Sequence, residues 1–173
     1  PQEEIERFKK IASNTFNAVS LISDHPNIGK VWLVPNEEGY IIEGADWSEA
    51  GTLRDLINDC KQNDVFLVEG VYEICQGVLN GLDRAHEKDI IHRALKPENI
   101  LIMNGIPKII NFDLSYQYQE DEQEHLTVIP DPSKLKDNGY TAPEVLEGKD
   151  IDERTDYFSF GVIIYELLTG NRP

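Results

Sequence analysis

The sequence predicts an α+β protein, mainly helical, and three stretches carry that reading. Residues 66–87 hold Val68, Val71, Ile74, Cys75, Val78, Leu79, Leu82 and Ala85 at helical spacing, the stripe of an amphipathic helix of about five turns. Residues 3–22 place Ile5, Phe8, Ile11, Phe16, Val19 and Ile22 at short gaps, with Ala12 filling the stripe, which predicts another helix. Two apolar runs, Ile100–Met103 and Ile109–Ile110, flank Asn104-Gly105. That dipeptide accepts the positive φ of a tight turn, so a hairpin of two short strands is expected.

The other elements follow in chain order. Pro26 disfavours helical backbone at His25 and closes the first helix. Val31–Pro35 and Gly39–Glu43 are β-rich runs that predict a second hairpin. Thr52 is placed to cap a helix that opens at Leu53. His86, on the inner face of the 66–87 helix, reads as a packed histidine. Pro97 keeps the polar loop His92 to Asn99 from being one continuous helix. Residues 111–144 lack periodicity, and their acidic run at 120–124 reads as a solvated loop. Val162 to Leu168 reads as a buried helix, with Gly170 suited to the position after its end.

Composition bounds the function. With 173 residues, 40% hydrophobic and 28% charged, the chain is expected to form one globular domain with a real core. Its net charge of −16 repels nucleic acid and anionic membranes. A polyphosphate would need locally placed Lys or Mg²⁺. No apolar run approaches the roughly 20 residues that span a bilayer, and the start carries no signal-peptide pattern. Proline at both ends and no initial Met read as an excised segment. Cys60 and Cys75 form no framework and predict free thiols in a reducing, cytoplasmic setting. The four histidines (25, 86, 92, 125) are scattered, which argues against zinc.

The stretch from Ile90 to Asp113 resembles the catalytic core of the eukaryotic-type Ser/Thr protein kinases. That family writes H-R-D-L-K-P-E-N and D-F-G; here His92–Asn99 reads H-R-A-L-K-P-E-N and Asn111–Asp113 reads N-F-D. Gly139–Glu144 resembles the family's A-P-E motif and Asp156–Gly161 its D-x-W-S-F-G. His25–Ile28 resembles the turn after the regulatory helix, and Gly51–Ile57 the opening of the first large-lobe helix. The motifs run through the whole chain in family order.

The resemblance implies a two-lobe fold, running from the regulatory helix to the central helix. Residues 1–46 would be the remainder of the small lobe and 47–173 a C-terminally incomplete large lobe. Such a piece is expected to expose apolar edges and to be poorly stable in isolation. Ile42 would be the gatekeeper, and Glu43 to Ala45 the hinge whose backbone could meet an adenine. Asp46 to Gly51 lengthens that connection. The regulatory helix would offer its Glu at Phe16, and neither Thr15 nor Asn17 is acidic.

Phosphoryl transfer needs positioning, charge neutralisation and a group that takes or orients the hydroxyl proton. By resemblance that last position is Ala94, whose methyl can do neither. Lys96 matches the Lys that steadies the γ-phosphate, and Asn99 the Asn that holds a second metal. Asn111 stands where an Asp would bind Mg²⁺, and a neutral amide oxygen attracts a hard cation less. Asp113 replaces a flexible Gly. Asn99, Asn111 and Asp113 are thus the candidate metal ligands, a weak set. Asp113 and Asp137 are the acids that could substitute, Asp137 by pairing with Lys96 across the gap left by Ala94. His92 and Phe112 match a stacked pair between the lobes, and Asp156 an acid that fixes the loop backbone. Glu144 would lack its usual Arg. Arg93 could pair with an acid in 120–124. Thr127 and Thr141 read first as ordinary loop hydroxyls.

The sequence therefore predicts a kinase fold used for binding or regulation with protein partners. ATP is the expected nucleotide, and its Mg²⁺ site is short of charge. Two alternatives stay open: an active ATP-dependent transferase using a displaced acid, and an interaction module that binds no nucleotide.

Overall fold

The computed structural model describes residues 19–35, 41–63, 68–112, 116–117 and 138–173. Strands β1 (Val31–Pro35) and β2 (Ile41–Ala45) pair antiparallel, Val34 opposite Ile42 and Val31 opposite Ala45. Helix α1 (Leu53–Gln62) and the long helix α2 (Val68–His86) follow. Strand β3 (Ile90–Ile91) leads into a 3₁₀ turn, Pro97–Asn99. Strands β4 (Ile100–Met103) and β5 (Ile106–Ile109) form a hairpin, and β6 (Tyr116–Gln117) pairs back on β3. The short helix α3 (Pro143–Leu146) and helix α4 (Arg154–Thr169) complete the described chain. The architecture is mostly helical with small antiparallel sheets, the α+β class expected.

Local chemistry explains these boundaries. Asn104 and Gly105 adopt φ of 52° and 79°, positive at both turn positions as a two-residue type I′ hairpin requires. The second strand of the hairpin starts earlier than the apolar pattern suggests, at Ile106. It absorbs Pro107, whose carbonyl accepts from buried Asn27 Nδ2 at 2.9 Å, and Lys108. At α1 the Thr52 N–H and hydroxyl both donate to Asp55 Oδ2, at 2.7 and 2.8 Å, so Thr52 begins the helix as expected. Those bonds hold the Asp55 carboxyl below its usual range. Gly170 closes α4 at φ 71°, its N–H bonded to Glu166 O at 2.8 Å.

The core joins Val19 and Ile22 to Ile28, Leu53, Val78, Leu82, Ile100, Ile109, Phe112 and Ile163. Two glycines allow the 25–29 turn to lie flat on α2. A Cβ at Gly81 would sit 2.9 Å from Asn27 O, and one at Gly77 2.4 Å from Pro107 Cγ. The turn also bonds to β5 through Gly29 N to Ile109 O and Ile109 N to Asn27 O, both 2.8 Å.

Three expectations change here. Strand β2 runs to Ala45, two residues beyond the run read from the sequence, and Glu43 to Ala45 pair with Leu33 to Val31 of β1. Helix α4 begins at Arg154, eight positions before the apolar run, because Asp156 in its first turn suits the positive end of the helix dipole. The run Val162 to Leu168 is buried on one side only, with Tyr165 and Leu168 exposed. The expected first helix falls mostly in residues 1–18, outside the described residues, with Val19 and Ser20 helical.

Candidate functional site

The site is a polar loop, His92–Asn99, built on a single buried acid. Asp156 is 0% exposed. Its Oδ2 accepts from His92 N–H at 2.9 Å and its Oδ1 from Arg93 N–H at 2.8 Å; His86 Nε2 lies 2.8 Å from Oδ2. A carboxylate out of water needs such donors, since an uncompensated charge is costly. Arg93 sits at φ 69°, unfavourable for a side chain with a Cβ by about 1–2 kcal/mol, and the Asp156 bond holds it there. His86 is thus packed, as expected, and also works as a brace, with its ring edge-on to Tyr157 at 5.3 Å.

His92, fully buried, ties the loop to the hairpin. Its Nε2 lies 2.9 Å from Ile110 O, and Ala94 N–H donates to its Nδ1 at 3.2 Å. A carbonyl only accepts and an N–H only donates, so Nε2 carries the proton. Its ring meets Phe112 edge-on, 4.7 Å between centroids, which joins the pair that the sequence singles out.

The chemical face of the loop carries fewer groups. Ala94, half-buried, has its carbonyl bonded to Asn99 Nδ2 at 2.8 Å and its N–H to His92, and presents a methyl. Lys96 is half-buried, and among the described residues no carboxylate comes within ion-pair distance of its Nζ. Asn111 is exposed, at φ 63°, a backbone region that Asn and Asp tolerate best. Its Nδ2 donates to Asn99 Oδ1 at 3.0 Å. The amide orientations follow from the network: Asn99 spends Nδ2 on Ala94 O, so its Oδ1 faces Asn111, which must present hydrogens. The structure thus brings Ala94, Asn99 and Asn111 together. Lys96 lies on the same loop, opening the 3₁₀ turn.

Ile42, Glu43 and Ala45 stand on β2, which has β1 as its partner and no other strand among the described residues. The chain after β2 is fastened to the β4–β5 hairpin. Ser48 Oγ donates to Ile102 O at 2.6 Å, Ile102 N–H to Gly51 O at 3.0 Å, and Lys108 Nζ lies 3.6 Å from Asp46 Oδ2. The lengthened connection is therefore a brace. It ties the end of β2 to the hairpin whose first residue follows Asn99.

Behind the loop lies a cluster that sequence reasoning missed. Arg54 of α1 donates to Glu166 Oε1 at 2.7 Å and Oε2 at 3.2 Å, to Glu98 Oε1 at 2.9 Å and to the Tyr140 hydroxyl. Tyr140 also donates to Glu166. Burial works against ionisation of Glu166, but hydrogen bonds from Arg54 and Tyr140 outweigh it and hold its carboxyl below the usual range. Burial, together with the bond to Glu166, pushes Tyr140 up to about 12. Burial alone would lower Arg54, yet Glu166 and Glu98 raise it. Arg172 adds a second guanidinium over the Tyr140 ring, 5.6 Å from its centroid. The available signal is a Glu inside the otherwise apolar run Val162 to Leu168, since such an acid is rarely buried without a partner.

Glu144 has a partner after all: Thr155 Oγ1 donates to it at 2.8 Å. Thr141 donates to Asn138 Oδ1 at 3.0 Å, the ordinary role for a loop hydroxyl. Phe16, Asp113, Asp137, Thr127 and the acids at 120–124 lie outside the described residues. No cluster of His, Cys, Asp or Glu that could hold a metal occurs among the described residues. Among them, no helix is long and apolar enough to cross a membrane.

The model of the protein kinase domain family matches residues 2–173. A probable serine/threonine-protein kinase PknB of Bifidobacterium longum is 32% identical over 162 residues, covering 87% of this chain and 22% of that protein. The inhibitor of nuclear factor kappa-B kinase subunit alpha of Xenopus tropicalis is 35% identical over 160 residues, covering 87% and 20%. A probable serine/threonine-protein kinase of Clostridium perfringens is 31% identical over 175 residues, covering 99% and 23%. The chain spans about a fifth of the length of these relatives.

Proposed function

The chain belongs to the protein kinase domain family, and from that premise we propose that it is a pseudokinase: a Ser/Thr-kinase scaffold that binds and regulates in signalling and does not transfer phosphate. One observation carries the reading. The position that should take the hydroxyl proton is the Ala94 methyl, in a loop held by the hydrogen bonds of the Arg93 N–H, the Ala94 N–H and the Ala94 carbonyl. Loss of a proton-handling group costs about 10²–10⁴-fold.

The family generally uses ATP with Mg²⁺. ATP would lie between β2, at Ile42, Glu43 and Ala45, and the loop groups Lys96 and Asn99. Lys96, with no described carboxylate beside it, is the cation a phosphate would meet. We assign residues 1–46 to the small lobe and 47–173 to the large lobe. The binding partners are proteins, and the two free thiols, Cys60 and Cys75, suit the cytoplasm.

The test is phosphate transfer from labelled ATP by the full-length protein, to itself and to generic Ser/Thr peptides. The expected result is no transfer above the blank. Transfer that vanished on Asp113→Ala or Asp137→Ala would replace this reading with an active kinase using a displaced acid.

A further inference from the structure

In the kinase scaffold two oxygen ligands face a divalent cation from the loop and the following tripeptide. Two acceptors that face each other repel unless something positive lies between them. In this chain the facing groups are Asn99 and Asn111. They meet directly, Nδ2 of Asn111 to Oδ1 of Asn99 at 3.0 Å. Asn99 is 6% exposed, and its other amide atom is spent on Ala94 O at 2.8 Å. Both heavy atoms of its amide thus already have a protein partner. A cation here would have to turn the Asn111 amide over, break that bond, and accept two neutral oxygens as its described ligands. Mg²⁺ keeps its water tightly and favours charged oxygen in an octahedral shell. The described residues do not fit it.

We infer that the Asn111 amide takes the place of the divalent cation, so that a nucleotide polyphosphate entering this site is bound without Mg²⁺. The inference rests on the kinase-scaffold reading for the location of the site, but not on the loss of phosphate transfer. Asn and Asp share shape and tolerance of φ 63°, so exchanging one atom changes the site from closed by an amide to open for a metal.

The experiment melts the full-length protein in EDTA, in Mg²⁺ and in Mn²⁺ at matched ionic strength, each with and without ADP. Wild type and Asn111→Asp are compared, so general screening of the acidic surface cancels. For the wild type, ADP should raise Tm equally in all three solutions. Asn111→Asp, with a carboxylate facing Asn99 Oδ1, should melt about 2–4 °C lower in EDTA and recover in Mg²⁺ or Mn²⁺. An ADP shift in the wild type that needs Mg²⁺ overturns the inference. So does an Asn111→Asp protein indifferent to both cations, or a wild type that ignores ADP throughout. A Mg²⁺-dependent ADP shift without phosphate transfer would overturn this inference and leave the pseudokinase reading standing. Asp113→Asn, run in parallel, would identify the ligand responsible.

Discussion

The two sides of the His92–Asn99 loop have different fates. On the inner side the described groups hold one another: Asp156 holds the His92 and Arg93 amides, and His92 holds Ala94, Ile110 and Phe112. On the outer side Ala94 presents a methyl and Asn99 and Asn111 satisfy each other. The difference teaches that the shape of a catalytic loop and its chemistry are separable. The shape depends on buried polar bonds, which cost several kcal/mol to break. In the proposed reading the chemistry depends on positions 94 and 111, one half-buried and one exposed, where an exchange costs the fold little.

The largest effect should come from the inner side. Asp156→Ala leaves two backbone donors and His86 without their acceptor and should destabilise the protein by about 3–5 kcal/mol, read by urea unfolding. A loss under about 1 kcal/mol would mean that the loop is held by packing alone.

Glu166→Gln should cost less, about 2 kcal/mol, since it keeps the shape and removes the charge that Arg54 and Tyr140 address. The pH dependence has two limbs. Glu166 has a lowered pKa, so its stabilisation is present above about 4.5 and is lost as pH falls through the folded value. Tyr140 is raised from 10.0 to about 12, so its contribution is present below 10.0 and is lost as pH climbs toward 12. Tyr140→Phe should flatten the alkaline limb of a stability-against-pH curve and leave Asp156 bonding untouched. An unchanged alkaline limb would refute the assignment.

Glycines separate the packed side from the open side at the smallest scale. Gly81→Ala brings a Cβ to 2.9 Å from Asn27 O; overpacking of about 1–3 kcal/mol exceeds the helix-propensity gain of about 1 kcal/mol. A net loss of about 1 kcal/mol is expected. Gly161→Ala, on the exposed face of α4, meets nothing within 4 Å and should gain about 0.5–1 kcal/mol. Both are read by thermal melting, and equal signs would contradict the placement of the 25–29 turn on α2.

Much of this was legible in the residues. Asn104-Gly105 specified its turn, the stripe from Val71 to Ala85 its helix, and Thr52 and Gly170 their helix ends, because each acts through local backbone preference. The motif order gave the kinase family, and the proposed site and its proton position rest on it. What escaped needs the third dimension. Glu166 looked like one polar letter in an apolar run, and its partners Arg54 and Tyr140 are 112 and 26 positions away. Gly77 and Gly81 carry no signal in the apolar stripe, and in the fold they are the flat seat for Asn27 and Pro107. Strand β2 reached into the expected hinge because its pairing with β1 overrides local composition. The hydrogen bond from the Asn111 amide to Asn99 Oδ1 joins two motifs whose residues the sequence read as a weak metal set.

The central claim, a kept scaffold with its chemistry removed, is tested most directly by putting the chemistry back. Phosphate transfer by the full-length protein should be measured for the wild type and for Ala94→Asp with Asn111→Asp, in Mg²⁺. The account predicts a wild type at the blank and a double variant at least about 10²-fold above it. A wild type that transfers phosphate as fast as the double variant would contradict it.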